Sequence, residues 1–177
     1  PEEIDGLPVT KIDMSAFEDI NSLENIIIPS SITEIGRDAF SGTKWLEKKQ
    51  AENPLVTVNS ILVDGTACSG DVIIPEDVTK IVSHAFEGNK KITGITIPES
   101  VTEIAGSVFK GCSELKTVSL PNGLTVLQGS TFRDCSTLES VNIPESVRNF
   151  GASVFYGCSS LKEITLPETV TSLGYMM

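Results

Sequence analysis

The sequence has few of the residues on which enzymes and nucleic-acid-binding proteins depend. It contains one histidine, His84, and 13 lysines and arginines against 24 aspartates and glutamates, which gives a net charge of −11. A single histidine excludes most histidine-dependent catalysis and most zinc sites. The acidic balance argues against a nucleic acid partner, because clustered basic side chains bind phosphates. We therefore expect no enzyme activity, no metal and no cofactor.

Long apolar runs are also missing, although 40% of the 177 residues are apolar. No run approaches the roughly 18 apolar residues that a membrane-spanning helix requires. The chain is nevertheless long enough to bury the core of one domain. We expect a single folded domain over residues 1–177 that does not insert into a membrane.

What the sequence does contain is an internal repeat. Six prolines and six phenylalanines recur at intervals of 23 residues, or of twice that number at one place. They are Pro29, Pro75, Pro98, Pro121, Pro144 and Pro167, and Phe17, Phe40, Phe86, Phe109, Phe132 and Phe155. A unit of this length cannot bury its own apolar face, but stacked copies can. The sequence therefore predicts a repeat solenoid with a 23-residue period.

Each repeat contains three kinds of segment. Apolar and polar residues alternate before the proline, as in 118–121, which predicts a short strand that the proline ends. The pair Val101 and Ile104 predicts a second short extended segment or a turn. The stretch ending in 109–111 predicts one helical or 3-10 turn closed by glycine. Stacking places a parallel β-sheet on one face of the solenoid and short strands or helical turns on the other.

The repeat carries three motifs that occur together in a known family. They are Leu-x-x-Val-x-Leu-Pro at 115–121, Val-Thr-x-Ile at 101–104 and Phe-x-Gly-Cys-Ser at 109–113. With these motifs, the chain resembles the BspA-like (Treponema-type) leucine-rich repeat proteins of bacterial surfaces. The resemblance implies a leucine-rich repeat fold and an extracellular or cell-surface location, with the signal and anchor outside this sequence.

Residues 43–74 depart from the repeat. The stretch 45–50 predicts a helical turn or two, and the apolar runs 55–58 and 61–63 flank Asn59-Ser60. These runs form either a projecting hairpin or a divergent coil of the solenoid. Both ends of the sequence lack the polar cap that a terminal repeat needs. We therefore expect the chain to be a fragment of a longer array.

Several side chains recur at one repeat position. Cys112, Cys135 and Cys158 are expected to be buried free thiols, because a straight row cannot surround a tetrahedral metal and parallel side chains oppose a disulfide. Cys68 is expected to be a loop thiol, and His84 an exposed polar residue. A row of glutamates follows the prolines, namely Glu76, Glu99, Glu145 and Glu168. Solvation explains that row, and calcium bridging is the alternative.

The exposed face of the strand stack is the candidate binding surface. Its residues are Asn25, Ile27, Thr96, Thr117, Ser119, Ser140, Asn142, Glu163 and Thr165. The resemblance implies that these positions face the concave side, where leucine-rich repeat proteins often hold a ligand. The row is small and hydroxyl-rich, so binding would arise from many modest contacts. The alternative is that threonine and serine serve only strand formation and solubility.

These observations favour a non-catalytic scaffold. The resemblance implies a bacterial adhesion or interaction module, monomeric, that binds a protein ligand such as host extracellular matrix, or a glycan. The alternative is a structural spacer that presents another module, which could be catalytic.

Overall fold

Each regular repeat folds into one coil of two short strands and a turn segment. The computed structural model describes residues 2–175. In chain order, the elements are β1 (Glu3–Ile4), β2 (Leu7–Pro8), β3 (Lys11–Ile12), β4 (Glu34–Ile35), α1 (Lys44–Glu52), β5 (Val56–Val58), β6 (Ile61–Asp64), β7 (Gly70–Ile73), β8 (Lys80–Ile81), β9 (Ile92–Thr96), β10 (Glu103–Ile104), β11 (Thr117–Ser119), β12 (Val126–Leu127), β13 (Ser140–Val141) and β14 (Asn149–Phe150).

The first face of the solenoid is a parallel sheet, which we call the strand face. Its order is β7, β9, β11, β13, and each strand pairs with the equivalent residues of the next repeat. Val118, for example, lies between Ile95 and Val141. Val118 is buried while Thr117 and Ser119 are exposed, as the alternating sequence requires. The predicted solenoid with a parallel sheet on one face is confirmed.

The second face consists of shorter parallel pairings. Strands β6, β8 and β10 lie side by side, and β12 pairs with β14 and β3 with β4. Ile81 lies opposite Ile104, one repeat away, and both side chains are buried. The second extended segment that the apolar pairs predict is therefore present.

The third side, which we call the turn face, differs from its prediction. It contains successive β-turns in place of a helical turn: the amides of Lys110 and Cys112 donate to carbonyls three residues earlier. Alternate amides of the same segment donate to the next repeat. They are those of Ser107, Phe109 and Gly111, which donate to the carbonyls of Gly129, Thr131 and Arg133 at 3.0, 2.9 and 2.7 Å. A helix cannot form here, because Ser107 and Gly111 have φ values of 61° and 72°.

The core is a stack of identical residues from successive repeats. Phe86, Phe109, Phe132 and Phe155 stack with ring centroids 5.2 to 5.7 Å apart, and Phe17 stacks on Phe40 at 5.8 Å. The stack is interrupted between Phe40 and Phe86, where Trp45 packs against Phe40 at 4.5 Å. The core consequently forms two clusters, and Ile35 and Val63 pack against both.

Helix α1 and a hairpin occupy the divergent segment 43–74. The helix begins after Thr43, whose Oγ1 accepts a hydrogen bond from the Leu46 amide at 3.1 Å. Strands β5 and β6 are antiparallel, and Asn59 and Ser60 join them with φ values of 47° and 64°, as a type I′ turn requires. Strand β6 also pairs with β8, so the hairpin is part of the second face.

The three repeat cysteines bind the backbone of the phenylalanine row. The thiols of Cys112, Cys135 and Cys158 donate to the carbonyls of Phe86, Phe109 and Phe132 at 3.1, 3.0 and 3.0 Å. All four cysteines are free, and Cys68, in a loop, is buried. Burial raises the pKa of Cys112 to about 12 and that of Cys68 and Cys158 to about 11, and it also raises the pKa of Cys135.

Thiol reactivity should follow this burial. The thiolate is the reactive form, so a pKa about two units above normal reduces its fraction at pH 8 by about a hundredfold. We expect iodoacetamide at pH 8 to modify the half-buried Cys158 slowly and the other three cysteines only after unfolding. Mass spectrometry of timed samples measures this, and a Cys158→Ala variant should lose the early product. Rapid labelling of Cys112 or Cys135 in the folded protein would contradict the burial of these thiols.

Replacing a glycine at a left-handed turn position should destabilise the protein. Gly111 has φ +72°, and a Cβ there would meet only ordinary contacts at 3.6 Å, so Gly111→Ala tests the backbone conformation itself. We expect a loss of about 1–2 kcal/mol in the free energy of unfolding, measured by denaturant titration. Gly123→Ala is the matched control, because Gly123 lacks a positive φ and a Cβ there meets nothing within 4 Å. Equal effects in both variants would contradict this assignment.

Candidate binding surfaces

The strand face holds five of the nine predicted binding residues in an ordered array. Thr96, Thr117, Ser119 and Ser140 lie on β9, β11 and β13, and Asn142 follows β13 directly. All five side chains are exposed. Because the strands pair in register, equivalent side chains follow one another at about 4.8 Å. The arrangement is a polar surface whose side chains stand in register on hydrogen-bonded strands.

The other four predicted residues lie outside the strands. Asn25, Ile27, Glu163 and Thr165 are exposed but belong to segments without assigned strands. On the N-terminal side, α1 occupies the repeat between 24–28 and β7, so no strand extends the sheet there. The ordered surface is therefore shorter than the sequence predicts.

The N-terminal edge of the strand face has its own chemistry. Asp71 accepts a hydrogen bond from Thr93 at 2.7 Å across β7 and β9. Gly94 lies opposite Asp71 on one side and Thr117 on the other, and a Cβ there would be 2.7 Å from Asp71 Oδ1 and 2.9 Å from Thr117 Oγ1. Ile73, on the edge strand β7, is 74% exposed. This edge thus combines one apolar side chain with a carboxylate and hydroxyl cluster.

A cleft of about 490 Å³ opens on the turn face between the turn segments of the second repeat (38–42) and the fourth repeat (83–87). Its walls include Asp38, Phe40 and Gly42 on one side and Ser83, His84 and Glu87 on the other. The 23-residue pattern did not predict this turn-face cleft. The only signal for it was the doubled interval between Phe40 and Phe86.

His84 lies in this cleft and is not exposed as predicted. Its side chain is 20% exposed, and Nδ1 lies 2.9 Å from Glu87 Oε2 and 3.8 Å from Asp38 Oδ2. The backbone explains this placement: His84 has φ 67°, in the same row of left-handed positions as Ser107 and Asp38. The carboxylates thus hold the imidazole in the wall of the cleft.

The glutamate row is a solvent-exposed edge with one polar bridge. Glu99 accepts hydrogen bonds from the amide and the side-chain Nδ2 of Asn122, both at 2.8 Å. Asn122 thereby binds the carboxylate at the position where it interrupts the row. Within residues 2–175, no three His, Cys, Asp or Glu side chains are grouped as a metal site would require. The helix described over this range is too short to cross a membrane.

Solved structures with the same architecture come from several bacteria. A leucine-rich cell surface protein of Faecalibacterium prausnitzii is 25% identical, with a TM-score of 0.68 over 95% of this chain and 47% of the other. A leucine-rich repeat protein of Bacteroides ovatus is 25% identical, with a TM-score of 0.59 over 95% and 44%. The Treponema pallidum leucine-rich repeat protein is 25% identical, with a TM-score of 0.54 over 92% and 76%.

This chain therefore spans about half the length of the first two structures. No curated protein matches it. The family model for the BspA-type leucine-rich repeat region matches residues 6–64 and 65–177 with six copies. With these residues nearly covering the sequence, the chain belongs to the BspA-type leucine-rich repeat family.

Proposed function

We propose that this chain is a binding module of a bacterial surface or secreted protein and that it contacts host matrix or other proteins through the strand face. Repeats of this family are typical of bacterial surface proteins and protein-interaction scaffolds. The observation that carries the proposal is the register of the strand face. Thr96 and Ser119 lie directly opposite each other on paired strands, both exposed, and Asn142 continues the row one repeat further.

Preorganisation supports binding by this surface. The side chains that would contact a partner are short, and parallel strands fix their backbone, so little conformational entropy is lost on binding. The same surface has no tryptophan, tyrosine or arginine at these positions, and such residues dominate tight interfaces. The module would therefore bind through an extended area, with moderate affinity at each copy.

The Faecalibacterium structure is that of a leucine-rich cell surface protein, which supports the location that we propose. Binding at a surface would combine several modules on one cell. Moderate affinities at each module then add to strong attachment, because later contacts form at high effective concentration.

Bulky charges on the strand face should abolish such binding. We expect Thr96→Arg/Ser119→Arg/Asn142→Arg to reduce saturable binding to immobilised fibronectin, fibrinogen, collagen or a glycan by at least about tenfold. The side chains are exposed, so the fold should tolerate the changes. Surface plasmon resonance measures the affinity, and circular dichroism checks the fold.

The matched control is Thr79→Arg/Thr102→Arg/Thr125→Arg. These threonines are also exposed and one repeat apart, but they precede the strands of the second face. The control adds the same charge and should retain binding. Equal loss in both variants would indicate an effect of charge alone. Absence of binding to every ligand would favour a spacer that presents a neighbouring module.

A further inference from the structure

The turn face contains a ladder of backbone hydrogen bonds that is interrupted at the divergent repeat. In the regular repeats, alternate amides of the turn segment donate to carbonyls of the next repeat, three from most segments and two, those of Phe86 and Gly88, from 84–88. The amides of Ser15, Phe17 and Asp19 thus donate to Arg37, Ala39 and Ser41, and those of Ser130, Phe132 and Asp134 to Ala152, Val154 and Tyr156. The amides of Asp38, Phe40 and Gly42 are equivalent to those of Ser15, Phe17 and Asp19, one repeat later in the chain. These three amides donate no hydrogen bond within residues 2–175.

The opposite wall lacks the complementary partners. The carbonyls of Ser83, Ala85 and Glu87 occupy the accepting positions of the fourth repeat. The Gly65 amide reaches Ala85 at 2.7 Å, but the carbonyls of Ser83 and Glu87 accept none from residues 2–175. Both rows line the turn-face cleft of about 490 Å³.

The divergent repeat causes this break. The 23-residue register places its turn segment at 61–65, where β6 lies instead and pairs its backbone with β5 and β8. Gly65 lies against the middle of the opposite wall through its bond to Ala85, so the amide row of Asp38, Phe40 and Gly42 is the edge that is left without a paired backbone. Phe40 is only 3% exposed, so its amide is the most costly of the group to leave without an acceptor.

The side chains around the cleft select the charge of an occupant. Asp38, Glu47, Asp64 and Glu87 line it, and His84 is the single basic side chain in its lining. Lys110 reaches Glu87 at 2.7 Å, and Arg37 lies 3.9 Å from Asp38. Carboxylates therefore outnumber the positively charged side chains around the cleft, and its electrostatic potential favours a cation.

We propose that this cleft binds a short extended peptide segment of a partner protein that carries a lysine or an arginine. Carbonyls of the peptide accept from the amides of Asp38, Phe40 and Gly42. The basic side chain lies among the carboxylates of Asp38, Glu47 and Glu87. Backbone pairing of this kind resembles the addition of a strand to a sheet edge, where main-chain bonds supply affinity and side chains supply selectivity.

This site is separate from the strand face, and it does not depend on the function proposed for that face. The two surfaces lie on different sides of the coil. The strand face offers side chains on a complete sheet, whereas the cleft offers backbone groups and charge.

Nuclear magnetic resonance tests the proposal with the intact, isotope-labelled chain. The probe is an N-acetylated, C-amidated pentapeptide, Gly-Val-Lys-Val-Gly, and its counterpart has glutamate in place of lysine. We expect saturable shifts of the Asp38, Phe40 and Gly42 amides with the lysine peptide, at a dissociation constant on the order of 1 mM or below. The glutamate peptide should bind at least about tenfold more weakly.

The second test removes negative charge from the lining of the cleft. Asp38→Asn/Glu87→Gln should weaken the lysine peptide by about tenfold, and asparagine suits the left-handed backbone of Asp38, whose φ is 56°. The control Asp134→Asn/Glu114→Gln removes the same charge from exposed residues remote from the cleft lining and should leave the affinity unchanged. Equal binding of both peptides, shifts confined to other residues, or no shifts at any attainable concentration would overturn the proposal.

Discussion

The register between successive coils is the constraint on which the rest of this molecule depends. Each regular coil pairs its backbone with the coil beside it, in the strands and in the turns. Because the register is kept, phenylalanine stacks on phenylalanine, and each repeat cysteine donates to the carbonyl of the phenylalanine in the preceding repeat. A thiol is suited to this position because it is small, apolar and a weak donor. Raised thiol pKa values and left-handed turn residues are consequences of the same stacking.

The places where register is broken are also where the surface acquires distinct chemistry. Helix α1 replaces a strand on the strand face, and β6 replaces a turn segment on the turn face, so a single divergent repeat ends the strand face at β7 and opens the turn-face cleft. Trp45 fills the interior of this break by packing on Phe40. The apolar core thereby stays packed, although backbone hydrogen bonds are missing on the turn face. Apolar contacts can form in many orientations, whereas a hydrogen bond requires an acceptor in a particular direction.

The sequence predicts what repeats and leaves open what does not. The 23-residue period, the strand before each proline and the buried rows are visible because each copy independently marks the same positions. The sequence predicts a helical or 3-10 turn for the turn segment, where the structure has β-turns, since a glycine such as Gly111 is equally typical of a helix end and of a left-handed turn. The turn-face cleft could not be predicted, because its donors are the backbone amides of Asp38, Phe40 and Gly42, whose lack of partners depends on where β6 pairs. His84 likewise gave no sign that Glu87 would hold it.

The two candidate surfaces respond differently to changes in sequence. On the strand face, exposed side chains alternate with buried ones, so Thr96 or Ser119 can change without disturbing the register beneath. A binding surface of that kind can be adapted to different partners while the solenoid stays the same. In the cleft, the hydrogen-bonding groups are peptide groups, and no side-chain substitution removes them; only the charge around them can be tuned. A partner held there is recognised first by the shape of an extended backbone and only then by its basic side chain.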